Sequence, residues 1–276
     1  MRKRLVCLTV AVFSPLVFSV ALCAQTIDGW GRPIPKAAKG QKSAPAPKRD
    51  ISGTWDPGNA GIQALGPRDM PEDGKPEHQL PYTALGLETL KTHQPSNTVR
   101  SVLPGDTNDP VVICDPQGLP REDLYELRTT QIVQTPLKTI ILYEFGKIWR
   151  AVWTDGRELP KDPEPRWFGY SVGHWEDDYT FVVQSYGVDE RTWIDRAGRP
   201  HSADLRVEER FHRADYDTLE LSVKIDDSKM YTKPWVALNN LAFRLEPPDF
   251  DVREMMCSPS EFAEYNKEVG KPASVK

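Results

Sequence analysis

Apolar and polar residues alternate in short runs along the second half of the chain, a period of two that marks strands with one buried face. Over 205–213 the alternation puts Leu205, Val207, Glu209 and Phe211 on one side. Over 218–226, Leu219, Leu221, Val223 and Ile225 share a side opposite Glu220, Ser222 and Lys224. Further strands are predicted over 139–145, 148–153, 170–176, 179–186 and 235–245, the last bent at Asn239-Asn240. Gly146-Lys147, Asp177-Asp178 and residues 214–217 supply the intervening hairpin turns. Sequential hairpins predict an antiparallel meander, since parallel neighbours need long crossovers, usually helical. In the first hairpin both faces are apolar: Ile141, Tyr143 and Phe145 oppose Leu142, Trp149 and Trp153. A ribbon covered on both sides predicts a mainly β fold, in which an antiparallel meander over 129–246 closes into a barrel or strongly curled sheet of lipocalin/calycin-like type.

The pattern is different upstream. Residues 1–24 join Arg2, Lys3 and Arg4 to an apolar run and end in small residues at Ala24, which predicts a signal peptide cleaved near Ala24 and a periplasmic or secreted protein. Residues 25–50 carry Pro33, Pro35, Pro45 and Pro47 among small and charged residues and read as a disordered linker. A single β-rich domain is expected over 51–268. Within it, 57–121 is an irregular arm, a lid or strap outside the sheet, with one short helix near 84–93. Ser258-Pro259-Ser260-Glu261 has the form of a capped helix start and predicts a helix over 259–267.

Charge and cysteines narrow the function classes. Loss of the three signal cations takes the formal charge from −5 to −8, with no basic stripe for nucleic acid. Nothing after residue 24 is long and apolar enough to span a bilayer, and a monomer is expected. Cys7 and Cys23 leave with the signal, so Cys114 and Cys257 form one possible pair, a disulfide in an oxidising compartment or else two buried thiols. Gly-x-Ser-x-Gly, a phosphate-cradling glycine loop, a dinucleotide fingerprint and Cys-x-x-Cys-His are all absent, so no cofactor is expected.

The segments DPVVICDPQGLPR (109–121), WTDGRELP (153–160), WFGYSVGHWEDDYTFVV (167–183), RTWIDRAGRPHS (191–202), VEERFHR (207–213) and KMYTKPW (229–235) resemble a family of uncharacterised secreted bacterial β-rich proteins. That resemblance covers the chain from about Ile51 to its end. It implies one β-rich domain behind a signal peptide and brings no activity with it. Asp177 stands where the family pattern has a turn glycine. Gly53-x-Trp55 also resembles the first-strand signature of lipocalin-like barrels.

Residues 187–202 are the first candidate site, a long inter-strand connection with Arg191, Trp193, Asp195, Arg199, His201 and Ser202. His201 has the chemistry of a general base, with Asp195 or Asp204 to hold its other ring nitrogen; surface ion pairs are the plainer reading. Glu209 points with core residues, so it is either paired with an inward cation such as Arg150 or a functional acid, unless the register slips and exposes it. His174 is expected opposite Phe181 on the apolar side, as a core histidine or a ligand contact. His174, Glu176 and Asp178 match no closed zinc spacing, and no metal is expected. Trp167, Trp193 and Trp235 near loops, with Arg157 and Arg191, form a candidate rim for a flat apolar ligand.

Three functions compete. The first is binding of a small, partly apolar ligand at one barrel mouth, with Arg157, Trp167, Arg191, Trp193, Trp235 and His201 at the rim and Glu209 or His174 deeper. The second is a metal-independent lyase, isomerase or hydrolase working through His201, Asp195 and Glu209. The third is an envelope interaction protein that docks a partner on its arm.

Overall fold

Residues 43–271 are described by the computed structural model; the predicted signal peptide and most of the predicted linker lie outside them. Nine strands follow one another around a closed barrel: β1 (Gly53–Asp56), β2 (Thr130–Gln134), β3 (Lys138–Tyr143), β4 (Trp149–Trp153), β5 (Tyr170–Trp175), β6 (Thr180–Tyr186), β7 (Arg206–Arg213), β8 (Thr218–Asp226) and β9 (Trp235–Leu245). β1 pairs with both β2 and β9, which removes the open edges. The fold is mainly β, as the alternation predicts. Val207, Glu209 and Phe211 point inward, with Arg206 exposed and Glu208 and Arg210 half-buried between them.

Asn240 takes a left-handed conformation (φ 55°) in β9, where the pairing with β8 shifts register. Its backbone N–H donates to Ser222 Oγ (2.9 Å), which fixes the bend expected at Asn239-Asn240. Helix α1 (Ala84–Thr92) starts at Thr83, whose side chain accepts from Gly86 N. At the other end, Ser258 caps α3 (Pro259–Tyr265). Cys114 and Cys257 form a disulfide across a sequence separation of 143. No helix among the described residues is long and apolar enough to cross a membrane.

Four expectations need correction. First, the meander is not wholly antiparallel: β4 and β5 run parallel, paired only at Val152↔Ser171 and Trp153↔Val172. The crossover is the irregular stretch 154–169, where Pro160, Pro163 and Pro165 stand in place of a helix. Second, the β3–β4 register (Leu142↔Trp149) leaves Trp149 61% exposed, so that hairpin is apolar on both faces but not covered on both. Third, Asp177 Oδ1 accepts from both Tyr179 N and Thr180 N (2.7 Å each). That side-chain turn lengthens the loop by one residue and sets His174 opposite Val182 rather than Phe181. His174 is consequently exposed. Fourth, the arm is not only an outer strap. It continues into α2 (Arg121–Leu124), all four of whose residues are buried, and Asp123 lines the barrel interior with Trp55, Tyr143 and Phe211.

The last residues of the predicted linker are also held. Tyr216 N donates to Ala44 O (2.9 Å), and Arg49 N donates to Asp178 O (2.6 Å). Lys48 pairs with Asp178.

Candidate functional site

The barrel interior is filled. The space among Trp55, Asp123, Ile141, Tyr143, Phe211 and Phe243 is about 10 Å³, close to the volume of one water probe. It holds a polar chain instead of a ligand cavity. Arg150 on β4 pairs with Glu209 on β7, and its Nε donates to the Tyr143 hydroxyl (2.9 Å). Tyr143 donates in turn to Asp123 Oδ1 (3.1 Å). Arg150 Nη1 reaches Ser171 Oγ (3.4 Å), which contacts Ser185 Oγ (2.7 Å).

Glu122, Asp123 and Glu209 are all within 1% of complete burial. Glu122 Oε1 and Oε2, Asp123 Oδ2 and Glu209 Oε2 have no hydrogen-bond partner among the described residues. Burial, then the Asp123 charge, pushes the Glu122 carboxyl well above the usual carboxylate range. Burial, then the Glu209 charge, does the same to Asp123. Burial therefore favours the neutral, protonated form of Glu122 and Asp123.

His201 and Asp195 do not pair with each other. His201 is buried, with Nε2 against Thr192 Oγ1 (2.7 Å) and Nδ1 against Ser202 O (3.2 Å). Burial holds its imidazole below the ordinary value. Asp195 pairs with Arg199 instead (3.3 Å), and both are buried. Trp193 stacks on His93 with ring centroids 4.8 Å apart and is 3% exposed. Trp235, 6% exposed, packs edge-on to Tyr231 (5.6 Å). The 187–202 segment is thus a packed scaffold. Its floor is Asp227, which accepts from Ser202 N (2.6 Å) and Ser202 Oγ (2.9 Å).

The segment 109–121 is closed on itself in a similar way. Arg121, 1% exposed, grips Asp109 with two hydrogen bonds of 2.8 and 2.6 Å. Gly118 (φ 70°) lies so close to Trp167 O that a Cβ would come within 2.6 Å of it, and Leu119 N donates to that oxygen (3.1 Å). This loop fixes the backbone on which the Trp167 indole stands.

The remaining predicted residues meet at one place. Because β4 and β5 pair over only two positions, the start of β4 and residues 166–170 leave a wedge of about 450 Å³ between them. Trp149, Trp153, Trp167, Phe168 and Tyr170 line it, with Lys138, Arg150, Arg166 and Ser171. Arg157 lies over Trp153 at 3.6 Å and Arg191 over Trp167 at 4.4 Å, while Asp155 and Asp189 hold the two guanidiniums. Trp167, Arg157 and Arg191 therefore share a neighbourhood, from which His201, Trp193, Trp235 and His174 are absent.

Lys138, Trp149, Arg166 and Tyr170 escaped the sequence reading. Trp149 and Trp153 sit four residues apart on one strand and so share a face, a signal available from period two alone. Glu122 and Asp123 escaped for another reason: three adjacent charged residues look like solvated loop.

A second cleft, of about 540 Å³, lies along the arm and includes Leu80, Pro81, Tyr82, Leu87, Val99 and Arg199. Leu85, Leu87 and Val99 are 53%, 46% and 65% exposed. Among the described residues, no cluster of His, Cys, Asp and Glu is arranged to hold a metal ion. No family model, curated protein or solved structure matches this chain.

Proposed function

We propose that this protein, exported as its N-terminal sequence suggests, binds a small, partly apolar ligand in the wedge between β4 and β5. The observation that carries the reading is Trp149, 61% exposed at the lip of a wedge that presents four further aromatic rings. Its volume falls within the roughly 300–1,000 Å³ common for small-ligand sites. A ring laid on the indoles that covers on the order of 100 Å² of apolar surface would contribute about 2.5 kcal/mol. The site proposed lies on the barrel wall, since the interior is occupied by the Arg150–Glu209 chain. Native mass spectrometry of the purified protein tests this: a retained small molecule is expected, and Trp149→Ala should release it without lowering the melting temperature. Retention unchanged in Trp149→Ala would place the ligand elsewhere.

The enzyme reading on His201 and Asp195 has no shared site in its support, because each is committed to a separate buried partner. The docking reading retains one specific observation, the exposed Leu87 and Val99 in the arm cleft. A photoreactive group at Val99 in the native envelope separates it: a protein adduct there supports docking, and failure to form one contradicts it.

A further inference from the structure

We infer that the wedge selects an organic anion carried on a flat ring, an aromatic carboxylate or sulfonate. This rests on the reading of the wedge as a ligand site and adds the ligand's charge. Lys138, Arg150 and Arg166 line the wedge, and no Asp or Glu does. The acidic residues of the crossover, Asp155, Glu158, Asp162 and Glu164, are not part of the lining.

The cations differ in what they already hold. Arg150 is committed inward to Glu209 and Tyr143. Arg157 and Arg191, which lie over Trp153 and Trp167, are neutralised by Asp155 and Asp189. Lys138 and Arg166 make no ion pair among the described residues. Each instead lies over a ring, Lys138 Nζ 5.3 Å from the Trp153 centroid and the Arg166 guanidinium 4.1 Å from that of Tyr170. Arg166 is exposed, while its backbone is fixed by hydrogen bonds to Gly187 and Asp189.

Two unneutralised cations beside three indoles form a local positive field on a chain whose net charge is −5. A neutral ring would use the aromatic surface and leave both cations hydrated. A ring with an anionic substituent would use both, because Arg166 presents a planar fork suited to carboxylate or sulfonate oxygens.

The test is isothermal titration with 2-naphthoate, 2-naphthalenesulfonate and neutral 2-naphthamide at low salt. At least one anion should bind about tenfold tighter than the amide, or roughly 1.4 kcal/mol. The margin should shrink as salt is added. Lys138→Gln combined with Arg166→Gln should abolish that margin while leaving the melting temperature in place. Which anion leads distinguishes a carboxylate ligand from a sulfonate. Equal binding of the amide and both anions would overturn the charge assignment and leave the ligand site standing. So would a preference for anions that survives in the double variant. If none of the three probes binds, the wedge is not a ligand site and both claims fall.

Discussion

Arg150 on β4 and Glu209 on β7 form an ion pair inside the barrel, with their side chains 3% and 0% exposed. Removal of one partner leaves the other charge buried, which typically costs about 3–5 kcal/mol. Glu209→Leu and Arg150→Met should each cost about that much in urea unfolding. The double variant should cost distinctly less than the two together, though not nothing, since Tyr143 also loses its Arg150 donor. Additive losses would mean that the two charges are not coupled.

The carboxyls of α2 set the pH dependence. Glu122 and Asp123 are raised well above their ordinary values of 4.5 and 3.8, chiefly by burial, with Arg150, Arg121 and Tyr143 partly opposing the shift. A carboxyl protonated in the fold contributes stability that is fully present below its unfolded value and lost as pH rises through the folded one. Stability should therefore fall as pH is raised above about 4–5, by at most about 1.4 kcal/mol per pH unit for each group. His201, held below 6.5 by burial, acts in the opposite sense: its contribution is present above about 6.5 and lost as pH falls. Glu122→Gln isolates the carboxyl effect, because His201 is common to both proteins. The advantage of Glu122→Gln over wild type should grow with pH. A constant difference would contradict buried protonation.

The scaffold residues should separate from the wedge residues. His201→Ala leaves Thr192 Oγ1 without its imidazole partner and opens space in a packed segment, and should cost about 1–3 kcal/mol. Ligand retention in the surviving folded protein should be unchanged. Trp149→Ala should show the reverse, with binding lost and thermal unfolding unaffected. A His201→Ala protein of full stability that no longer binds would return function to the 187–202 segment.

The Cys114–Cys257 disulfide ties the arm to the C-terminal segment across a sequence separation of 143. Replacement of both cysteines by serine should lower stability by about 2–4 kcal/mol, read as a shift of the urea midpoint. No shift would mean that the bridge constrains little of the unfolded chain.

The alternation in 205–226 was legible because each strand there has one dry face, so parity alone fixed the directions of Glu209 and Val207. Side chains that act on the backbone were harder to read. Asp177 lengthens a turn by one residue through its carboxylate, and one residue is enough to move His174 from inside to outside. The parallel β4–β5 pair has no helical crossover to announce it, so the wedge it leaves could not be foreseen. Of the basic and aromatic residues around the wedge, Trp167, Arg157 and Arg191 were visible individually. The wedge residues come from β3, β4, the crossover and the start of β5, and only the register brings them together. Arg121-Glu122-Asp123 carries no apolar marker of burial: in the fold Arg121 pairs with Asp109, and burial raises the two carboxyls beside it.

The most direct test follows the indole N–H signals in a two-dimensional ¹⁵N spectrum as 2-naphthoate is added. Assignment comes from single Trp→Phe variants, with 2-naphthamide as the fallback probe if the anion is rejected. Shifts should be largest for Trp149, Trp153 and Trp167, with Trp55, Trp193 and Trp235 nearly still. Shifts led by Trp193 or Trp235 would contradict a site between β4 and β5.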